Sequence, residues 1–123
     1  NTLPDGARDA MQFSPALVVN GEQLISGSSG WGLQPRSVIG QTKDGEMLLA
    51  IVDGRQPGYS VGITLGDLAD ILYQYGAYQA CNLDGGSSAV MYYRGRIITH
   101  SSAANSERGR HIPDGWIVTE PKT

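Results

Sequence analysis

The sequence predicts an α+β fold in which one main helix packs on a mixed, largely antiparallel sheet. Most of the 123 residues fall into short apolar segments separated by turn signals, and a single stretch has helical spacing. The 17 glycines follow no triplet repeat and indicate many turns and close backbone contacts. A chain of this length has room for one sizeable core, so residues 1–123 are interpreted as a single domain.

The first half of the chain is predicted to form two β-hairpins. Residues 13–19 form the first strand, the Asn-Gly pair at residues 20–21 is a strong hairpin signal, and the return strand is expected from residue 24. The second hairpin joins residues 37–42 to residues 47–52. The run MLLAIV in the last of these strands has no polar alternation, which predicts burial on both faces.

One helix is predicted over residues 64–75, where apolar residues recur at helical spacing. Thr64 is a suitable N-cap, and Gly76 is placed to end the helix. Four further strands are expected after the helix, at residues 78–83, 88–93, 96–99 and 116–119.

Charge and composition exclude several classes of function. A net charge of −3 argues against nucleic-acid binding, which needs a clustered basic surface. The longest apolar run is far too short to span a bilayer, so any signal or anchor is expected outside this chain. The single cysteine, Cys81, rules out an internal disulfide framework and is interpreted as a buried, inert thiol.

Two Asp-Gly pairs stand out from the five in the chain. An Asp-Gly pair ordinarily marks a turn, but Asp53 and Asp84 each directly follow an apolar strand. A carboxylate at a strand end is held on a rigid element, and the following glycines leave space above it. Asp53 and Asp84 are therefore candidate catalytic carboxylates.

The stretch NLDGGSS, residues 82–88, combines acceptors, small residues and hydroxyls, as a sugar or phosphate site requires. Arginines near glycine-rich strand ends would bind an oxyanion in bidentate fashion, although a solvated arginine is the alternative for each of them. The candidates are Arg36, Arg55, Arg108 and Arg110.

Four segments, taken in order, resemble the phosphodiester glycosidase family. They are FSPALVVNG from residue 13, PRSVIGQTKDG from residue 35, VDGRQPGYSVGITLGDLADIL from residue 52 and YGAYQACNLDGGSSAVMYYRG from residue 75. The resemblance implies hydrolysis of the bond between a sugar's anomeric carbon and a phosphodiester, which releases the sugar and leaves a phosphomonoester. Bacterial members are described as exopolysaccharide-related, which implies an extracellular or cell-envelope location.

The resemblance also implies roles for individual residues. Asp84 is expected to act as nucleophile or base, and Asp53 as a second carboxylate or a clamp on substrate hydroxyls. The residues expected to bind phosphate or substrate are Arg36, Arg110, Asn82, Gly85, Gly86, Ser88 and, less critically, Arg55. Arg110 best matches the family arginine before the last strand, with Arg108 as its rival.

Members of this family have more chain before the first hairpin, so the resemblance implies that this sequence is the C-terminal part of the domain. A homodimer, or a second chain that supplies the N-terminal part, is then expected. The sequence requires no cofactor, although calcium bound by Asp53 and Asp84 is an alternative. A second alternative is a non-catalytic carbohydrate-binding or envelope-structural module with the same fold.

Overall fold

The computed structural model describes residues 5–27, 32–103 and 109–121. Its main sheet has the strand order β2-β1-β5-β3-β4, and every pairing among the described residues is antiparallel. The strands are β1 (Ala16–Val19), β2 (Glu22–Gln23), β3 (Arg36–Thr42), β4 (Met47–Val52) and β5 (Ala77–Asn82). A two-stranded ribbon, β6 (Tyr92–Tyr93) and β7 (Arg96–Ile97), lies apart from it. With the helix α1 (Leu65–Gln74), this arrangement confirms the α+β class and the largely antiparallel sheet.

The first hairpin turns where the sequence predicts. Asn20 and Gly21 have φ values of 50° and 79°, the left-handed conformations that a tight two-residue hairpin turn requires. Val19 therefore pairs with Glu22, and the return strand begins two residues earlier than predicted. A two-residue turn sets this register, so the return strand begins directly after the turn and not at the more apolar residue 24.

Helix α1 covers one face of the sheet. The hydroxyl of Thr64 accepts a hydrogen bond from the Asp67 backbone N–H at 3.2 Å, which confirms the predicted N-cap. The helix packs against β1, β2 and β5, and its buried residues meet those of the sheet in one core. The core residues are Leu17, Val18, Val38, Leu65, Leu68, Ala69, Leu72, Ala77 and Ala80. No helix within the described ranges is both long and apolar enough to cross a membrane.

The opposite face of the sheet is apolar and open. Met47 and Leu49 of β4 are 54% and 37% exposed, so the prediction that this strand is buried on both faces is wrong. The reason is that α1 covers one side only, and β4 is an edge strand. An open groove of about 290 Å³ crosses this second side, with Ile39 and Cys81 among its lining residues. We call this surface the open face.

Two predicted strands are replaced by other structure. Residues 88–93 contain only β6, because Gly86–Ser88 form a short 3-10 turn with Ser88 N–H bonded to Gly85 and Ala89 N–H to Gly86. Residues 116–119 form no strand, and Ile117 and Val118 are 82% and 78% exposed. Residues with high β-propensity do not form a strand where no sheet edge is available to pair with them.

Candidate functional site

Two glycine turns pack closely around Pro35, at the entrance to β3. A Cβ atom on Gly85 would lie 2.5 Å from the Pro35 carbonyl oxygen, and one on Gly54 would lie 2.7 Å from the Pro35 nitrogen. The Gly86 N–H donates to the same Pro35 carbonyl at 3.0 Å. Glycine is therefore required here for close backbone approach, which brings the turns after β4 and β5 to one point.

An open pocket of about 430 Å³ lies over these turns, a volume within the usual range of small-ligand sites. Among the residues that the structure describes, its charged side chains are three arginines and a single carboxylate, that of Asp84. An excess of positive charge in a concave site favours an anionic ligand. The lining residues are Phe13, Gln34, Pro35, Arg36, Arg55, Asn82, Leu83, Asp84, Gly85, Gly86, Ser87 and Arg110.

Arg110 and Asp84 form an ion pair across the pocket. The distance from Arg110 Nη2 to Asp84 Oδ2 is 3.0 Å, and the side chains are 56% and 45% exposed. Arg110 Nε also donates to the Ser88 hydroxyl at 2.6 Å. Asp84 and Ser88 therefore orient the guanidinium, and an incoming anion would compete with Asp84 for it.

Arg36 lies deeper in the same pocket and is only 5% exposed. Its Nε donates to the Ile63 carbonyl at 3.1 Å, and its Nη2 donates to the Gly32 carbonyl at 3.0 Å. Burial, and secondarily the charge of Arg55, lower the pKa of Arg36. Arginine nevertheless stays protonated at neutral pH, so Arg36 is a fixed positive charge that also anchors two neighbouring loops.

Arg55 forms the third side of the positive cluster. It has a φ of 56°, and both Nε and Nη2 donate to the side-chain oxygen of Gln34. Its Nη1 lies beside the Gly86 turn, because a Cβ atom built on Gly86 would be 3.0 Å from it. The Gln34 amide thus orients the Arg55 guanidinium toward the Gly86 turn.

Asn82 forms part of the buried wall of the pocket and is 2% exposed. Its Nδ2 donates to the Ser14 carbonyl at 3.1 Å. Its Oδ1 is buried without a hydrogen-bond partner among the described residues. A buried acceptor of this kind needs a donor from elsewhere, such as water or a ligand hydroxyl.

Asp53 lies outside the pocket lining. Its carboxylate accepts the Tyr59 hydroxyl at 2.7 Å and the His100 backbone N–H at 3.1 Å to each oxygen. Hydrogen bonding to this carboxylate is the main reason that the pKa of Tyr59 is raised. The structure thus brings together all the predicted site residues except Asp53, with Ser88 joined through its bond to Arg110.

Two contributors to the site had no signal in the sequence analysis. They are Gln34 and Tyr59, which are ordinary polar residues by sequence. Gln34 contributes through Arg55, 21 positions away, and Tyr59 through Asp53, 6 positions away. Pro35 is a third contributor, and it did have a signal, because it directly precedes Arg36 at the strand entrance. Arg108, the rival of Arg110, lies outside the described residues.

No three His, Cys, Asp or Glu side chains within residues 5–27, 32–103 and 109–121 come together where they could share a metal ion. Cys81 lines the groove of the open face and is half-buried, so the prediction that it is buried is only partly right, and its partial burial raises the pKa of the thiol. A raised pKa keeps the thiol protonated at neutral pH, as expected for an unreactive cysteine.

Comparison with known proteins shows the family of this chain. The sequence pattern of the phosphodiester glycosidase family matches residues 1–119. A prophage-derived uncharacterized protein of Bacillus subtilis, YomE, is 33% identical over 81% of this chain and 16% of its own length. The mouse N-acetylglucosamine-1-phosphodiester alpha-N-acetylglucosaminidase is 30% identical over 57% of this chain and 13% of its own.

A solved structure supports the same relationship. A presumed exported protein of Burkholderia pseudomallei K96243 is 42% identical with a TM-score of 0.59, over 63% of this chain and 15% of its own. The chain belongs to the phosphodiester glycosidase family, as its sequence motifs predicted. It spans only 13–16% of the length of the two sequence relatives described above.

Proposed function

We propose that this chain carries the site of a hydrolase that cleaves sugar-1-phosphodiesters. The observation that supports this most directly is the convergence of Arg36, Arg55 and Arg110 with one carboxylate, Asp84, in a single pocket. Three arginines suit a phosphodiester, because a guanidinium offers two parallel donors to phosphate oxygens. A carboxylate can act as nucleophile or base at the electron-poor anomeric carbon of the sugar that is linked to the phosphate.

In the proposed reaction, the bond between the anomeric carbon and the phosphate oxygen breaks, and its electron pair goes to that oxygen. Water supplies the oxygen that ends on the anomeric carbon and the proton that ends in solution or on the phosphomonoester. Asp84 acts as nucleophile or as base toward that water. The leaving group is a stable phosphate anion, so the arginines can stabilise it without a separate general acid.

Phosphate binding and the release of Asp84 are coupled in this proposal. Arg110 is paired with Asp84 at 3.0 Å, so a phosphodiester that binds Arg110 displaces the carboxylate. The displaced Asp84 is then available to the sugar. The buried Oδ1 of Asn82 would serve as an acceptor for a ligand hydroxyl.

An extracellular or cell-envelope location is part of the same proposal. It is supported by the related protein that is presumed to be exported. Polymers with sugar-phosphate linkages at the cell surface are a suitable class of substrate for such an enzyme.

Two lysine substitutions separate phosphate binding from anchoring. Arg110→Lys should weaken the binding of inorganic phosphate, and raise the KM for a sugar phosphodiester, by about tenfold. Lysine lacks the planar guanidinium that donates to Ser88 and Asp84 at the same time. Its melting temperature should change little, since the side chain is half exposed. Arg36→Lys should weaken phosphate binding and also lower the melting temperature, because the hydrogen bonds to the Ile63 and Gly32 carbonyls are lost.

The assay follows reducing sugar released from a sugar 1-(nitrophenyl phosphate), with phosphate binding measured by calorimetry. Arg96→Lys, on the exposed ribbon, is the matched control and should behave as the unsubstituted chain. Phosphate binding without any sugar release by the unsubstituted chain would contradict the hydrolase and favour a binding module. Equal phosphate affinity in the Arg110→Lys variant would contradict the role of Arg110.

We also propose that this sequence is one part of a larger domain, and that the purified chain self-associates through the open face. Exposed apolar residues cross this face, and none of the described residues that line its groove is charged. A second copy offers the same uncharged surface, and a net charge of −3 opposes the contact only weakly. Light scattering at micromolar concentration should therefore give a mass above that of a monomer.

Leu49→Lys should shift the purified chain toward the monomer, because it places a charge on the open face. Ile71→Lys, at an exposed position on α1, is the matched control and should leave the mass of the assembly unchanged. A monomeric unsubstituted chain would contradict self-association. A mixed assembly with a separate chain that supplies further sheet would favour that partner over a second copy.

A further inference from the structure

Asp53 holds together two loops beside the pocket. Its carboxylate accepts the Tyr59 hydroxyl and the His100 N–H, and its own carbonyl accepts the Ser60 hydroxyl at 2.6 Å. The Gln56 side chain donates to the His100 carbonyl at 2.7 Å from the same loop. Both backbone polar groups of His100 are therefore fastened to the loop that follows β4.

The segment fastened in this way continues directly to the pocket. Ser101, next to His100, donates its hydroxyl to the Ser87 carbonyl at 3.4 Å. The backbone N–H of Arg110 donates to that same carbonyl, also at 3.4 Å. Gly109 packs so closely there that a Cβ would lie 2.8 Å from the Ser87 oxygen. The Ser87 carbonyl thus joins the segment held by Asp53 to the backbone of Arg110.

We propose that Asp53 is a positioning residue, which holds Arg110 in place for the phosphate through His100, Ser101 and the Ser87 carbonyl and does not touch the substrate. The inference rests on the proposed function, because it concerns the same phosphate site. Two observations carry it: Asp53 is absent from the pocket lining, and its carboxylate oxygens are already hydrogen-bonded. Tyr59 then belongs to the same positioning unit, as the donor to Asp53.

Asp53→Asn and Tyr59→Phe test this inference in the full chain. Each should weaken the binding of inorganic phosphate by about 3- to 10-fold, the loss expected for one or two hydrogen bonds. The double variant should be no weaker than the worse single variant, because both changes break one unit. The change in kcat should stay small beside the change in KM, and the NMR signal of the Arg110 Nε–H should shift in each variant.

Asp44→Asn and Tyr73→Phe are matched controls at exposed positions and should leave phosphate affinity unchanged. A loss of kcat of about 10³-fold in Asp53→Asn with unchanged phosphate affinity would overturn the proposal, because it would place Asp53 on the substrate. Unchanged phosphate affinity and an unmoved Arg110 signal would overturn it as well. Phosphate binding is measured without turnover, so a failure of the hydrolase proposal alone leaves this test intact.

Discussion

Asp84→Asn is expected to lower the hydrolysis of a sugar 1-phosphodiester by about 10³-fold or more, while inorganic phosphate binds at least as tightly as before. Asp84 is the one carboxylate among the described lining residues, so its charge has no substitute in the pocket. Its removal also frees Arg110 from an ion pair at 3.0 Å and takes a negative charge away from the anion site. The two effects therefore have opposite directions, which a loss of folding would not produce.

The comparison uses reducing-sugar release for turnover, calorimetry for phosphate and circular dichroism for the fold. Asp114→Asn is the matched control, since it changes an exposed Asp-Gly pair in the described C-terminal segment. A folded Asp84→Asn variant that kept most of its activity would remove Asp84 from the chemistry. Weaker phosphate binding in that variant would contradict the competition between Asp84 and the ligand.

Gly85→Ala is expected to lower the free energy of unfolding by about 1–3 kcal/mol and the melting temperature by roughly 5–15 °C. The added Cβ would lie 2.5 Å from the Pro35 carbonyl oxygen, which is backbone and cannot rotate away. The turn would have to move, and with it the Gly86 N–H that donates to Pro35. Thermal unfolding followed by circular dichroism measures the loss.

Gly115→Ala is the control for Gly85→Ala, because a Cβ on Gly115 meets nothing within 4 Å. It should melt with the unsubstituted chain. A Gly85→Ala variant with normal melting and impaired phosphate binding would mean that Gly85 faces the ligand and not Pro35.

Local signals in the sequence predicted the elements that depend on neighbouring residues. The Asn20-Gly21 turn, the Thr64 cap and the spacing of helix α1 involve positions a few residues apart, and the structure confirms each of them. The strands at residues 88–93 and 116–119 depended on distant partners. Their β-propensity gave no information on whether a sheet edge pairs with them, and these predictions were wrong in whole or in part.

The candidate site divides in the same way. The strand-end position of Asp84 and the glycines after it were visible in the sequence, and the pocket brings them together with Arg36 and Arg110. Asp53 has the same sequence context as Asp84 yet lies outside the pocket lining. The difference arises from Tyr59 and His100, which hydrogen-bond to Asp53, and no local pattern specifies contacts of that kind.

The pocket is lined by two different kinds of chain segment. Asp84 follows the central strand β5, which is paired on both sides, whereas Arg110 belongs to residues 109–121, which form no helix or strand. If the pocket binds an anion as proposed, we expect the conformational entropy lost on binding to come more from residues 109–121 than from the side next to β5. Anything that orders residues 109–121 in advance would raise affinity for the anion with no new contact to it.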